Sequence, residues 1–463
     1  MRWLRHPSFW ILVQVVVLAS LLVSTGRLSP HATPDTASYQ NFPLDSLSAA
    51  LGHARTFGYP LFFRAASGLT SQCNAVPSCQ LAAHVVAVAI FYLGVCRLLD
   101  SEWSAFAAAS PLLYSNILLG YVDNLIADSL ASSVSVATVG LLFWVVSGVR
   151  SVWLWLALSA SCFATYQIRP AFLFLVLLLP IAGVLLCWMR SRTDSRVSSD
   201  YRRLGSKLAV CGLLPLLGYC GFRWLLVGHF ALVSFGGNNF AGTIGVFLTP
   251  SMVSELPRDL RPLAHVAIQN RNKLAARDPE YSSEPTLEYM EIENRFDFNT
   301  WQVFVPAAQH FYGDDQLRVN ASLRRLAVAI IWCRPGDYAI WLAKAAWRGI
   351  CVTLLDLAQN PVYLAMLAGL LVVHARLVVR RLRLAPEARS ALLEDSRDSH
   401  FAFNALLLFA MLFAGMKLLL IITTTPPLGR FMDAAGVFFP AVLGITVIDH
   451  WKKLQTSEKR LSP

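Results

Sequence analysis

Ten stretches of this chain are too long and too apolar to sit in water, and they constrain its fold more than any motif does. They run at about 9–23, 79–98, 103–120, 125–147, 151–168, 170–189, 208–227, 361–380, 401–422 and 431–449. About 20 such residues, coiled as a helix, cross a hydrocarbon core of about 30 Å. In hydrocarbon every backbone group must be paired within the protein, which only helices and closed barrels achieve. Barrel strands read as short alternating segments, whereas these runs are continuous. The expected fold is therefore all-α, a polytopic transmembrane helical bundle of about ten spans. Composition agrees: 56% of the 463 residues are hydrophobic, against about 45–50% in a soluble domain.

The formal net charge of +11 would suggest nucleic acid in a soluble protein. Here no nucleic-acid partner is expected, because the cations collect in segments between the apolar runs. Arg2 and Arg5, Arg150, the segment Met189 to Lys207, the segment Arg376 to Ser390 and the tail His450 to Arg460 are all basic. Lys and Arg accumulate on the cytoplasmic side, so one threading places all of these inside, with both termini cytoplasmic. The charged start and the lack of a clean small-residue cleavage site make the first run a retained anchor. The segment 338–357 carries Lys344 and Arg348 on one face and reads as an amphipathic helix on the outer surface. A further crossing is the alternative, and it would move the Arg-rich segment after 380 outside.

This threading divides the chain into an N-terminal membrane module (1–227) with a first outer loop (26–78), an outer helical segment (228–340) and a C-terminal membrane segment (341–463). The outer segment has aromatics throughout, among them Phe240, Tyr281, Tyr289, Phe296, Phe298, Trp301 and Phe304. That composition predicts a small helical subdomain rather than a disordered loop. The nine cysteines are scattered, with no CxxC spacing. Cys73 and Cys79 share one outer polar loop, where oxidising surroundings allow a disulfide; two free thiols are the alternative.

Phosphate-loop, HExxH, GxSxG and GxGxxG patterns are all missing. Polar residues at the outer ends of the spans remain. Asp35, in PDTASYQ, can take a proton from an acceptor hydroxyl or cap a helix starting near Thr36. In YVDNLIADSLASS, Asp123 sits in a turn and Asp128 deeper in the next helix, where an acid faces a cavity or a polar partner. Asp35 with Asp123 or Asp128 is an oxygen set suited to a divalent cation, Mg or Mn, the one cofactor expected. Gln167 and Arg169 in YQIRPAFL, and Arg430 in PPLGRFMDAAGVFFP, lie at the outer interface. Each arginine either binds a phosphate through paired hydrogen bonds or snorkels to lipid headgroups. Asp314 and Asp315 read as a solvated turn.

Taken in order, these pieces resemble the GT-C superfamily of membrane glycosyltransferases, which includes protein O-mannosyltransferases and lipid A aminoarabinose transferases. The resemblance rests on PDTASYQ, on RTFGYPLFF (Arg55 to Phe63), on the acidic turn before the fourth span, on QIRP and on PLGRFMDAAGVFFP, where Phe431 stands in place of the family's Tyr. It implies an outward-facing site, a polyprenyl-phosphate-linked sugar donor and inverting transfer to a periplasmic glycan, lipid or protein. It further implies Asp35 as base, Asp123 or Asp128 orienting the acceptor or a metal, and Arg169 and Arg430 holding the lipid phosphate. Tyr39, Arg55, Tyr59, Arg64 and Gln167 complete the expected substrate-binding set. The first loop departs from the family pattern in having PDT rather than two adjacent acids. The rival reading is a secondary transporter or lipid-handling protein without covalent chemistry; such sites lie near the midplane of repeated halves, and no internal repeat is visible.

Overall fold

The computed structural model describes residues 6–70, 73–149, 151–193, 200–383 and 397–461. Arg2, Arg5, Arg150 and parts of the basic segments after Met189 and Arg376 lie outside the described residues. Helices account for all the regular structure among the described residues, apart from one isolated parallel bridge between His31 and Asn124. The all-α expectation therefore holds.

Helix α1 (Pro7–Ser24) opens on a proline, which suits the first turn of a helix. The first loop follows, with α2 (Thr36–Gln40), α3 (Leu47–Gly52) and α4 (Gly58–Ser67). Helix α5 (Ala75–Leu99) leaves that end of the molecule, and α6 (Glu102–Ala109) and α7 (Asn116–Tyr121) return to it. Then come α8 (Ala127–Val146), α9 (Val152–Ile168), α10 (Leu175–Thr193) and α11 (Tyr201–Val227). Five helices make the next segment: α12 (Gly236–Ile244), α13 (Arg261–Arg277), α14 (Tyr289–Phe298), α15 (Val305–Tyr312) and α16 (Gln316–Cys333). The chain closes with α17 (Pro335–Gln359), α18 (Pro361–Arg383), α19 (Arg397–Ile422), α20 (Gly429–Met432) and α21 (Phe439–Leu461).

Among the described residues, eight helices are long and apolar enough to cross a membrane, which makes this a multi-pass membrane protein. Two expected spans are corrected. The run 103–120 is not one helix: Pro111 lacks an N–H, and Ser110–Tyr114 tightens into a 3₁₀ turn before extended Ser115. The run 431–449 contains turns after Met432, and its helix starts at Phe439, beside Pro440.

Small residues let the central pair approach closely, as in other membrane bundles. A Cβ on Gly94 of α5 would lie 2.1 Å from the carbonyl oxygen of Gly140 in α8. The membrane helices share one apolar core, while the 228–334 segment has its own, around Ile244, Phe304 and Leu323, which Trp341 of α17 joins. Helix α17 meets the length and composition of a span, but its partners are helix ends. Tyr338 Oη donates to the Thr423 carbonyl at 3.0 Å and Trp341 Nε1 to that of Ile422 at 3.1 Å, just past or at the end of α19. Asn360 Nδ2 donates to the Tyr114 carbonyl at 2.7 Å. Helix α17 thus runs across the end of the bundle that carries the first loop. Lys344 Nζ reaches the Leu287 carbonyl at 2.7 Å, which ties it to the second core.

Charge separates along the bundle. Gln80, near the start of α5, bonds the Val122 carbonyl at 2.9 Å, so α5 runs from the loop end to the far end. Arg97 in its last turn, and Arg190 and Arg192 in the last turn of α10, therefore lie at the far end.

Candidate functional site

The first loop is fastened to the turn before α8. His31 N donates to the Asp123 carbonyl at 2.8 Å, and Leu125 N to the His31 carbonyl at 2.9 Å. Thr36 Oγ1 adds a bond to the Leu125 carbonyl at 3.1 Å. Arg27 Nη2 donates to Asp123 Oδ1 at 3.1 Å, and His31 Nδ1 lies 3.4 Å from Asp123 Oδ2. Asp123 is a buried clamp on the loop rather than an open site residue.

The glycine of RTFGYP has a steric reason. A Cβ on Gly58 would stand 2.5 Å from the backbone C and O of Gln167, so α4 starts directly against the last turn of α9. That contact brings Arg55 and Arg169, from opposite sides of it, to one place. Tyr39 and Tyr59 pack edge to face at 4.7 Å behind them.

Four segments then deliver five charges to one cluster. Asp35 accepts from Arg55 Nη2 on one oxygen and from Arg430 Nη2 on the other, both at 2.5 Å. Asp128 Oδ2 accepts from Arg430 Nη2 at 3.3 Å and Nε at 3.4 Å, and Oδ1, also 3.4 Å from Nε, contacts Arg169 Nη1. Phe431 lies under the Arg169 guanidinium at 5.7 Å, and Tyr39 under that of Arg55 at 5.1 Å. The Asp128 side chain is 1% exposed, Asp35 25% and Arg430 35%, so the cluster opens to solvent at Asp35 and Arg430 with Asp128 sealed beneath. Burial pushes the Asp35 carboxyl up, but the guanidinium groups of Arg55 and Arg430 outweigh it and hold the carboxyl below its usual value. Asp35 is not a helix cap: its side chain bonds no backbone N–H of α2.

Several expectations change. Asp128 lies in the first turn of α8, not deep within it, where the helix N-terminus favours a carboxylate. Tyr59 and Gln167 are 0% and 1% exposed, so they support the cluster from behind rather than face a substrate. Arg64 points away and pairs with solvent-exposed Asp45 at 3.4 Å. The oxygens of the expected metal pair have protein partners, Arg27 and His31 on Asp123 and Arg55 and Arg430 on Asp35. Among the described residues no three His, Cys, Asp or Glu gather for a metal. Cys73 and Cys79 are free thiols, and Cys79 belongs to α5 rather than to a loop. Asp315 caps α16 through the Leu317 and Arg318 amides, consistent with a turn.

Two residues join the site unforeseen. Lys417 is 2% exposed, with Nζ 4.4 Å from the centre of the Phe172 ring and Arg169, Asp128 and Asp433 around it. A lone lysine in the run 401–422 was the available signal. Asp433, three residues after Arg430, accepts from Tyr121 Oη at 2.6 Å.

Chemically, the cluster is a carboxylate at a solvent-facing mouth, held by guanidinium groups that also suit an incoming oxyanion. No protein family, curated protein or solved structure matches the chain.

Proposed function

We propose that this protein is a GT-C-like membrane glycosyltransferase, moving a sugar with inversion from a polyprenyl-phosphate carrier to a glycan, lipid or protein hydroxyl. The observation that carries this reading is the sharing of Asp35 between Arg55 and Arg430 at the open mouth, with Arg169 and Asp128 below. The basic helix ends opposite the site support a cytoplasmic far end, and hence a site facing outward from a bacterial inner membrane with both termini inside. There an activated sugar must arrive on a lipid.

The ion pairs suggest how the chemistry is gated. In the resting state the Asp35 carboxylate occupies Arg430. A donor phosphate competes for Arg430 and Arg169, and Asp35, freed from one cation, becomes a stronger base. The acceptor O–H gives its proton to Asp35 as its oxygen bonds the anomeric carbon from the face opposite the phosphate. The bond from that carbon to the phosphate oxygen breaks, and its electron pair leaves on the phosphate, whose charge the arginines stabilise.

Purified protein would be offered short-chain polyprenyl-phosphate sugars, wild type beside Asp35→Asn and Arg430→Lys. Transfer by wild type that is lost in folded Asp35→Asn, with weakened donor binding in Arg430→Lys, is the expected result. Transfer that survives in Asp35→Asn overturns the base assignment. Absence of both transfer and lipid-phosphate binding in wild type overturns the enzyme reading.

A further inference from the structure

Beside the arginine cluster, a second polar pocket joins α17 to the α20–α21 turn and to the start of α7. It is lined by Ser115, Asn116, Thr353, Asp356, Tyr363 and Asp433, among others, and has room for about one water. The Asp356 and Asp433 side chains both line it. Three donors nearby are engaged elsewhere. Asn116 Nδ2 is spent on the Asp356 backbone carbonyl, Thr353 Oγ1 on the Gly349 carbonyl at 2.8 Å, and Tyr121 Oη on Asp433 at 2.6 Å. One carboxylate oxygen and one hydroxyl are left over. Asp356 Oδ2 is buried with no hydrogen-bond partner, and so is Oγ of Ser115, a residue only 1% exposed.

A proton shared by the two acids would relieve their repulsion but leave Asp356 Oδ2 and Ser115 Oγ unserved. A buried carboxylate oxygen and a buried hydroxyl, both without partners and both lining one small pocket, suit a small ligand between them. A cation serves both carboxylates and the hydroxyl at once, and hard divalent cations select all-oxygen sets of this kind. We propose that Asp356, Asp433 and Ser115 form a binding site for a hard divalent cation of the calcium or magnesium class, which fastens α17 to the turn that carries Arg430. This site is distinct from the Asp35 and Asp123 pair and rests on no assignment of the reaction.

The test uses the full chain in neutral detergent, stripped with EDTA, with terbium as a luminescent stand-in for calcium. Wild type should show saturable one-to-one terbium luminescence sensitised by Tyr121 and Tyr363, displaced by calcium or magnesium, and a melting temperature that rises with either metal. Asp356→Asn should weaken binding at least tenfold and Ser115→Ala by less, while the surface control Asp45→Asn should bind as wild type does. If Asp356→Asn fails to fold, Ser115→Ala carries the test. The proposal is overturned if wild type binds no cation and ignores EDTA, which leaves a shared proton only. It is equally overturned if the folded pocket variants bind as tightly as wild type, which makes the bound ion adventitious.

Discussion

Removing the charge of Asp128 isolates the strongest claim made for the cluster, that its buried floor is a coupled ion network. In Asp128→Asn the shape is nearly kept, but Arg169, only 12% exposed, loses its carboxylate. Arg430 keeps Asp35 at 2.5 Å, so the loss falls mainly on Arg169. Breaking a buried pair by deleting one partner costs about 3–5 kcal/mol, because the other charge stays behind in low dielectric. Arg169→Gln should cost less, about 1–3 kcal/mol, because Asp128 still accepts from Arg430 at 3.3 and 3.4 Å and is left with one cation rather than none. The double variant should then be less destabilised than the sum of the singles, with a coupling of about 2 kcal/mol. Denaturant titration in mixed micelles, followed by tryptophan fluorescence, measures all three. Single costs that add within about 0.5 kcal/mol would show that the two side chains are independent and would refute the network.

Three further outcomes are expected. Gly58→Ala should destabilise the protein by about 1–3 kcal/mol in the same titration, since its Cβ meets backbone that has no room to yield. Asp35 is held below the usual carboxylate value of 3.8 when folded, so its contribution is complete above that value. As pH falls through 3.8 the unfolded chain takes up its proton first and the contribution is lost. A melting-temperature series from pH 6 to pH 3 should therefore slope less steeply in Asp35→Asn than in wild type, and parallel slopes would contradict the pairing. Arg64→Ala should change stability by less than about 1 kcal/mol, because its partner Asp45 is 92% exposed; a larger loss in the titration would mean that Arg64 belongs to the cluster after all.

Local rules read from the chain worked where one element decides. Continuous apolar runs allow no alternative to helices in hydrocarbon, so the helical bundle was legible in the sequence. They failed where a proline or a turn interrupts a run, as at Pro111 and before Phe439, because hydropathy averages over residues whose backbones cannot continue a helix. Among site residues, Asp35, Asp128, Arg169 and Arg430 were picked out as polar groups at span ends and Arg55 through the resemblance, and they do come together.

Their roles were not legible, because a role depends on which partner arrives from elsewhere in the chain. Arg430 comes from nearly 400 residues beyond Asp35, and only folding places its guanidinium on that carboxylate and on Asp128. The same closure turned Asp123 into a clamp, hid Tyr59 and Gln167, sent Arg64 outward and brought Lys417 and Asp433 inward. What the chain alone determined is its solvent: apolar area partitions into lipid whatever the topology. What only the tertiary structure decided is which charges meet, since an ion pair depends on distance and burial, and neither exists until the helices have packed.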